Sequence, residues 1–160
     1  MKRVYLTTDG ACIGNPGPGG WACVLRYLDR KKEIFGCEEK TTNNRMELRA
    51  AIEGLKMLRE PCEVVMVTDS QYVKKGVTEW LEQWKARGWQ KKRKGKAANK
   101  TVLNQDLWQE LDRISQQHTI SWEWVKGHAV HPENIRCDEL ANIAARKQIY
   151  SAAVQATQVS

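Results

Sequence analysis

Apolar and polar positions change their spacing along the chain, and the changes mark its elements. Arg3 to Thr8, Trp21 to Tyr27 and Glu33 to Cys37 are rich in β-branched and aromatic residues, which predicts three strands. Between the first two lies Gly14-Asn15-Pro16-Gly17-Pro18-Gly19-Gly20, a turn signal that suggests a connected antiparallel meander. From Asn44 the period lengthens. Leu48, Ala51, Ile52, Leu55 and Leu58 follow the spacing of an amphipathic helix, stopped near Pro61. Glu63 to Thr68 is a nearly continuous apolar run, as expected of a strand covered on both faces. Helical spacing returns from Gln71 to Ala86, breaks around Gly88 and resumes from Leu103 to Gln117. Thr119 to Val125 predicts another strand, with Ile120, Trp122 and Trp124 inward, and a last helix is expected from about Asn134 to Tyr150. The small, polar residues 151–160 predict a frayed, disordered tail.

Three strands followed by alternating helix and strand describe an α/β fold: a five-stranded mixed sheet, antiparallel first and parallel later, flanked by helices. At 160 residues the chain fits one domain, expected over 1–150, with no repeat and no linker. The segment 80–100 is expected to protrude from it as a surface excursion.

Charge sharpens this picture. The formal charge is +7, from 26 basic and 19 acidic residues. Eight of the basic residues (Lys85, Arg87, Lys91, Lys92, Arg93, Lys94, Lys96 and Lys100) fall in one stretch without Asp or Glu, and without them 18 basic residues face 19 acidic ones. A basic patch this local points to a polyanion, nucleic acid first. The N-terminus meets Asp9 before any apolar signal region develops, and no apolar run approaches the ~20 residues that span a bilayer. Five scattered cysteines without a Cys-x-x-Cys pair argue for reduced thiols. A soluble cytoplasmic monomer with no membrane partner is expected.

The acidic residues fall at element ends. Leu6-Thr7-Thr8-Asp9-Gly10 and Met66-Val67-Thr68-Asp69-Ser70 each place an Asp at the C-terminal end of an apolar strand, the edge where α/β sheets bind ligands. Glu47 lies in the first turn of its helix at the margin of the buried stripe, and Asp138 begins the last helix on the side of Ala141 and Ala145. Singly, each has an ordinary explanation as turn former or helix-dipole partner. Together, with no matching Cys or His cluster, four such carboxylates describe a site for a hard divalent cation, Mg2+ above all. Two such ions about 3.5–4 Å apart serve phosphodiester hydrolysis.

Six ordered blocks carry a family resemblance. They are Thr8-Asp9-Gly10-Ala11-Cys12, Gly14 to Gly20, Thr41-Thr42-Asn43-Asn44-Arg45-Met46-Glu47-Leu48, Thr68-Asp69-Ser70-Gln71-Tyr72-Val73, Trp80 with Trp84, and Trp122-Glu123-Trp124-Val125-Lys126-Gly127-His128-Ala129. Glu133-Asn134 and Arg136 to Ala141 complete the match, from Val4 to about Ala145. The chain resembles bacterial ribonuclease H of type I. The resemblance implies an endonuclease that hydrolyses the RNA strand of an RNA–DNA hybrid and leaves 5′-phosphate and 3′-hydroxyl ends. It implies that Asp9, Glu47, Asp69 and Asp138 hold one or two Mg2+ ions, with Mn2+ as a substitute, and that His128 assists proton transfer or product release. Asn15, Asn43, Asn44 and Gln71 are then expected along the minor groove of the hybrid, where amides reach base edges and ribose 2′-hydroxyls. Thr42 and Asn104 match positions that hold a DNA-strand phosphate, and Trp80, Trp84, Lys85 and Trp89 match the substrate-binding part of the family's basic protrusion. Two departures stand out: Lys91 to Lys96 looks longer and more basic than usual, and Val130 replaces a common Gly beside His128.

Other readings fare less well. The Gly14–Gly20 loop lacks Gly-Lys-Ser/Thr and does not run into a helix, so it is no nucleotide cradle. His128, His131 and Cys137 do not have the spacing of a common zinc site. A related metal-dependent DNA nuclease of the integrase or resolvase kind would keep the acids but not the Thr42–Glu47 block. A hybrid-binding module without turnover would be favoured by a missing acid, and all four are present.

Overall fold

A computed structural model describes residues 1–91, 100–126, 131–149 and 152–157, with the backbone alone for Lys91, Lys100, Thr101 and 152–157. The chain opens with strands β1 (Lys2–Cys12), β2 (Gly17–Tyr27) and β3 (Arg30–Thr41), paired antiparallel in sequence order. Helix α1 (Asn43–Lys56) leads to β4 (Cys62–Thr68), which lies parallel to β1 on its other side. Next come α2 (Gln71–Lys75), a π-helical turn (Gly76–Trp80) and α3 (Leu81–Ala86). The short strands β5 (Gln90–Lys91) and β6 (Lys100–Thr101) pair with each other, followed by α4 (Gln105–Ser115). Strand β7 (Thr119–Trp124) adds to β4 in parallel, and α5 (Pro132–Lys147) and β8 (Ala152–Thr157) complete the order. The five expected strands run β7-β4-β1-β2-β3, antiparallel then parallel.

Three features differ from the sequence reading. The tail does not stay single: β8 pairs antiparallel with Arg30 to Phe35 of β3 as a sixth strand, because the edge of β3 offers unpaired backbone groups. The helix expected over 71–86 is interrupted by the π-helical turn, whose Gly76 lies so close to the indole of Trp108 that a Cβ would meet the ring at 2.0 Å. Strand β2 starts within the glycine run, at Gly17 rather than Trp21. Side chains there would collide with what packs on the strand, for a Cβ on Gly20 would stand 2.2 Å from the Ala141 carbonyl and 2.5 Å from the Ala145 nitrogen.

The main core lies between the sheet and α1, where Leu6, Met46, Leu48, Ile52, Leu55 and Met66 are fully buried. A second cluster under α5 holds Ala22, Val24, Cys137, Leu140, Ala141 and Ala144. The small faces of Gly20 and the alanines let α5 approach β2 closely, as the spacing of Ala141 and Ala145 suggests. All five cysteines are free thiols. Among the described residues no helix is long and apolar enough to cross a membrane.

Candidate active site

Three carboxylates converge because the sheet register and one glycine bring them together. In the parallel β1–β4 pair Thr7 stands opposite Val67, and two further residues along each chain lie Asp9 and Asp69. Glu47 comes from α1, which rests directly on Gly10. A Cβ at Gly10 would stand 2.5 Å from the Glu47 nitrogen, so only glycine permits this approach. The Gly10 N–H is shared by the two acids, donating to Asp9 Oδ1 at 2.9 Å and to Glu47 Oε1 at 3.0 Å. Asp9, Glu47 and Asp69 each offer an oxygen within 4.8 Å of the others, with the first two buried and Asp69 half-buried.

The electrostatics of this arrangement favour a cation. Burial raises the Asp9 carboxyl to about 7, and the charges of Asp69 and Asp138 push the same way against hydrogen bonds from Glu47 and Gly10. Glu47 is raised well above the usual carboxylate range, first by burial and then by Asp9 and Asp69. Glu47 Oε2 is buried and has no hydrogen-bond partner among the described residues. An acceptor-only set of crowded, partly orphaned carboxylate oxygens fits a hard divalent ion, which would remove both the repulsion and the unsatisfied oxygen.

Asp138 completes the group from another element. It is exposed on the first half of α5 and faces Asp69 across a small pocket of about 90 Å³, also lined by Asn134 and Ile135. At roughly 30 Å³ per water, that space suits a few waters or a hydrated ion. Helix α5 is fixed at several points. His131 Nδ1 accepts from the Asn134 N–H at 3.1 Å, and Cys137 donates to the Thr7 carbonyl at 3.2 Å. Arg26 and Lys31 hold Glu133 at 3.1 and 3.4 Å, and Arg136 grips Glu33 at 2.6 Å. Asn134 itself is buried one turn before Asp138, a position for which the sequence reading gave no role.

The residues expected to bind substrate come from the loop before β2, the start of α1, the start of α2 and the elements between the π-helical turn and α4. Asn15 Oδ1 accepts from the Asn43 N–H at 2.9 Å, which ties the glycine-rich loop to the start of α1. Asn43 is exposed, Asn44 half-buried, and Gln71 exposed as the first residue of α2. Thr42 is the N-cap of α1, accepting from the Arg45 N–H. Asn104 has φ +60° at the N-cap position of α4, yet its side chain turns away from capping. Trp80, Trp84 and Trp89 form a chain of tilted rings, with centroids 5.6 and 6.3 Å apart, against Tyr72 and Trp108. Trp80 and Trp84 border a cleft of about 450 Å³ with Tyr72, Arg87, Val102 and Leu103. Lys85 is engaged within the protein, its ammonium 3.3 Å from Asp112 and 3.6 Å from Glu82. His128, Val130 and residues 92–96 lie outside the described residues.

A mixed sheet with carboxylates from β1, α1, the end of β4 and α5 meeting at one edge defines a metal-dependent nuclease of the ribonuclease H type. The RNase H family model matches residues 1–146, and the chain belongs to the RNase H family, nucleases that act on RNA–DNA hybrids. It is similar to the Ribonuclease H of Solibacter usitatus, 60% identical over 148 residues, or 92% of this chain and 98% of the relative. It is 57% identical to the Ribonuclease H of Escherichia coli O139:H28 over 145 residues, 91% of this chain and 90% of the relative. Among solved structures, LC9-RNase H1, described as a type 1 RNase H with the type 2 active-site motif, matches with a TM-score of 0.80 at 33% identity, covering 100% of this chain and 77% of that one. LC11-RNase H1, solved in complex with an RNA/DNA hybrid, shares the fold at TM-score 0.61 and 22% identity, covering 90% of this chain and 97% of that one.

Proposed function

We propose that this chain is a magnesium-dependent endonuclease that cuts the RNA strand of RNA–DNA hybrids and leaves 5′-phosphate and 3′-hydroxyl ends. The observation that carries the proposal is the convergence of Asp9, Glu47 and Asp69 within 4.8 Å, with Asp138 across the adjoining pocket. Asp9, Glu47, Asp69 and Asp138 would hold one or two Mg2+ ions, or Mn2+ in their place. Bound there, the ions supply activation of a water and neutralisation of charge on the phosphodiester.

The chain's own residues do the rest. The Gly10 N–H holds Asp9 and Glu47 in one orientation, so both present oxygens to the same point. Thr42 and Asn104 hold a phosphate of the DNA strand, while Asn15, Asn43, Asn44 and Gln71 meet the minor groove, where the 2′-hydroxyl distinguishes RNA from DNA. Trp80, Trp84 and Trp89 support the DNA backbone beside the basic segment. Lys85 adds charge there once released from Asp112. His128 moves a proton or aids release of the product, a task suited to an imidazole with an ordinary pKa of ~6.5. The protein acts in the cytoplasm, a compartment that suits its five free thiols, and it acts as a monomer. Equilibrium sedimentation near one chain mass checks the monomer.

Labelled hybrid, duplex DNA and duplex RNA, each titrated with magnesium, test substrate and cofactor together. Cleavage confined to the RNA of the hybrid is expected, and preferential cutting of duplex DNA would overturn the assignment. Asp69→Asn is expected to lower kcat by about 10³-fold or more, a loss of some 4 kcal/mol of transition-state stabilisation, while hybrid binding is largely kept. Full activity in that variant would refute the metal-holding role.

A further inference from the structure

A chain of hydrogen bonds beside the aromatic cleft has its direction fixed at both ends. Arg45 donates through Nη1 to Asn104 Oδ1 at 3.3 Å and to Asp106 Oδ1 at 3.0 Å, and through Nη2 to Asp106 Oδ2 at 2.7 Å. A guanidinium has no acceptor, so the Asn104 oxygen must face Arg45 and its Nδ2 must face the other way. That Nδ2 lies 3.0 Å from the Tyr72 hydroxyl oxygen and donates to it. Trp108 Nε1, which also can only donate, reaches the same oxygen at 2.9 Å from a fully buried ring.

Both lone pairs of the Tyr72 oxygen are therefore occupied, and among the described residues its own proton meets no acceptor. Among the same residues the second Asn104 Nδ2–H meets none either. Two neutral donors, their heavy atoms 3.0 Å apart, stand together on half-buried side chains. Tyr72 also lines the cleft bordered by Trp80, Trp84 and Arg87, and Asn104 follows its lining residues Val102 and Leu103 in the chain. Paired donors next to a cation and aromatic faces match an anionic phosphodiester oxygen with its sugar lying against the rings.

We propose that the Tyr72 hydroxyl is an obligate hydrogen-bond donor to a DNA-strand phosphate, side by side with Asn104, and that Arg45 and Trp108 act as positioning residues that fix its direction. The inference rests on the reading that Asn104 faces the DNA strand. Trp108 matters here through its ring nitrogen, which leaves the tyrosine oxygen no lone pair with which to accept from another group.

The test is binding of a fluorescent RNA–DNA hybrid without divalent ions, followed by anisotropy for the wild type and Tyr72→Phe. A set of hybrids carries a single neutral methylphosphonate at successive DNA positions. Tyr72→Phe is expected to weaken binding of the unmodified hybrid about tenfold, the range for a hydrogen bond to a charged group. One methylphosphonate position should weaken the wild type at least as much and weaken Tyr72→Phe distinctly less, because the variant has already lost the Tyr72 part of that contact and keeps only the Asn104 part. Undiminished binding by Tyr72→Phe would overturn the proposal. So would equal losses at every methylphosphonate position, the signature of a variant that merely disturbs Trp108. Binding is read without cleavage, so a wild type that binds in this pattern but does not cut would sink the nuclease assignment alone.

Discussion

At Asp9 and Glu47, the burial that suits the pair to a cation also makes it costly when no cation is bound. The fold favours the protonated form of Asp9, whose carboxyl rises from about 4 in an unfolded chain to about 7. Its contribution to stability is thus fully present below about pH 4 and is lost as pH rises through about 7. Asp9→Asn removes that loss. In the presence of a chelator at neutral pH, the variant should melt higher than the wild type, by about 2–4 °C for each kcal/mol relieved in a chain of this size, while losing cleavage of the hybrid on the proposed role of Asp9. The difference should shrink towards pH 4. A variant that melts lower at neutral pH would show that the repulsion is already relieved within the protein. The acids themselves were legible in the sequence, because a carboxylate at the end of an apolar strand or on the margin of a helix stripe breaks a pattern. What joins them was not. The role of Gly10 depends on how closely α1 lies on β1, and the Arg45–Asn104–Tyr72–Trp108 chain links residues 32 to 59 positions apart through polarity alone.

Among the elements, α5 illustrates how a helix can be placed by what is missing from its partner. Its approach to β2 is set at Gly20, where a methyl group would meet backbone atoms of Ala141 and Ala145 that cannot rotate away. Gly20→Ala should destabilise the protein by about 1–3 kcal/mol, the usual cost of overpacking. Because α5 carries Asp138, the folded fraction should also show a lower kcat, measured well below the melting transition. Loss of stability with unchanged kcat would mean that Asp138 is held independently of the helix. The joint between α4 and β4 offers a second measurement. His118 Nδ1 accepts from the Cys62 N–H at 3.1 Å, and burial lowers the imidazole from its ordinary value. Folding thus favours neutral His118: its contribution is present above the unfolded pKa of ~6.5 and is lost as pH falls through the lowered folded value. His118→Asn keeps an acceptor near that place without a titrating group. It should flatten the part of the stability–pH curve attributable to this residue, as read by denaturant melts across that window, whereas an unchanged slope would assign the proton uptake elsewhere. Strong periodicity made α1, β4 and α5 legible. Strand β8 was not, since its alanines have little strand preference and only the open edge of β3 gives them a partner.

Over the whole molecule, the two halves of the proposed function come from different parts of the sequence, acids gathered at one sheet edge and cations concentrated in one stretch of chain. The family and fold were legible because six motif blocks span the sequence. The placement of the basic stretch was not, because charge composition fixes no backbone geometry, and most of Lys91 to Lys96 lies outside the described residues. Its contribution can still be counted in solution. Each phosphate neutralised by a cation adds about 0.7–0.9 to the slope of log affinity against log salt. Replacing Lys91, Lys92, Arg93, Lys94 and Lys96 with glutamine should therefore make that slope shallower by roughly this amount for every side chain that touches DNA. Since these residues are remote in charge type and sequence from the four acids, KM should rise more than kcat falls. The change in slope then gives the number of contacts directly, which separates a protrusion that lies along the DNA from one that only raises the local potential. In the second case KM would still increase at low salt, but the defect would fade as screening shortens the reach of the field to about 8 Å near physiological ionic strength. An unchanged KM and an unchanged slope would place the basic stretch off the binding path, leaving the DNA strand to Lys85, Arg87, the aromatic cleft and the side chains of Thr42, Tyr72 and Asn104.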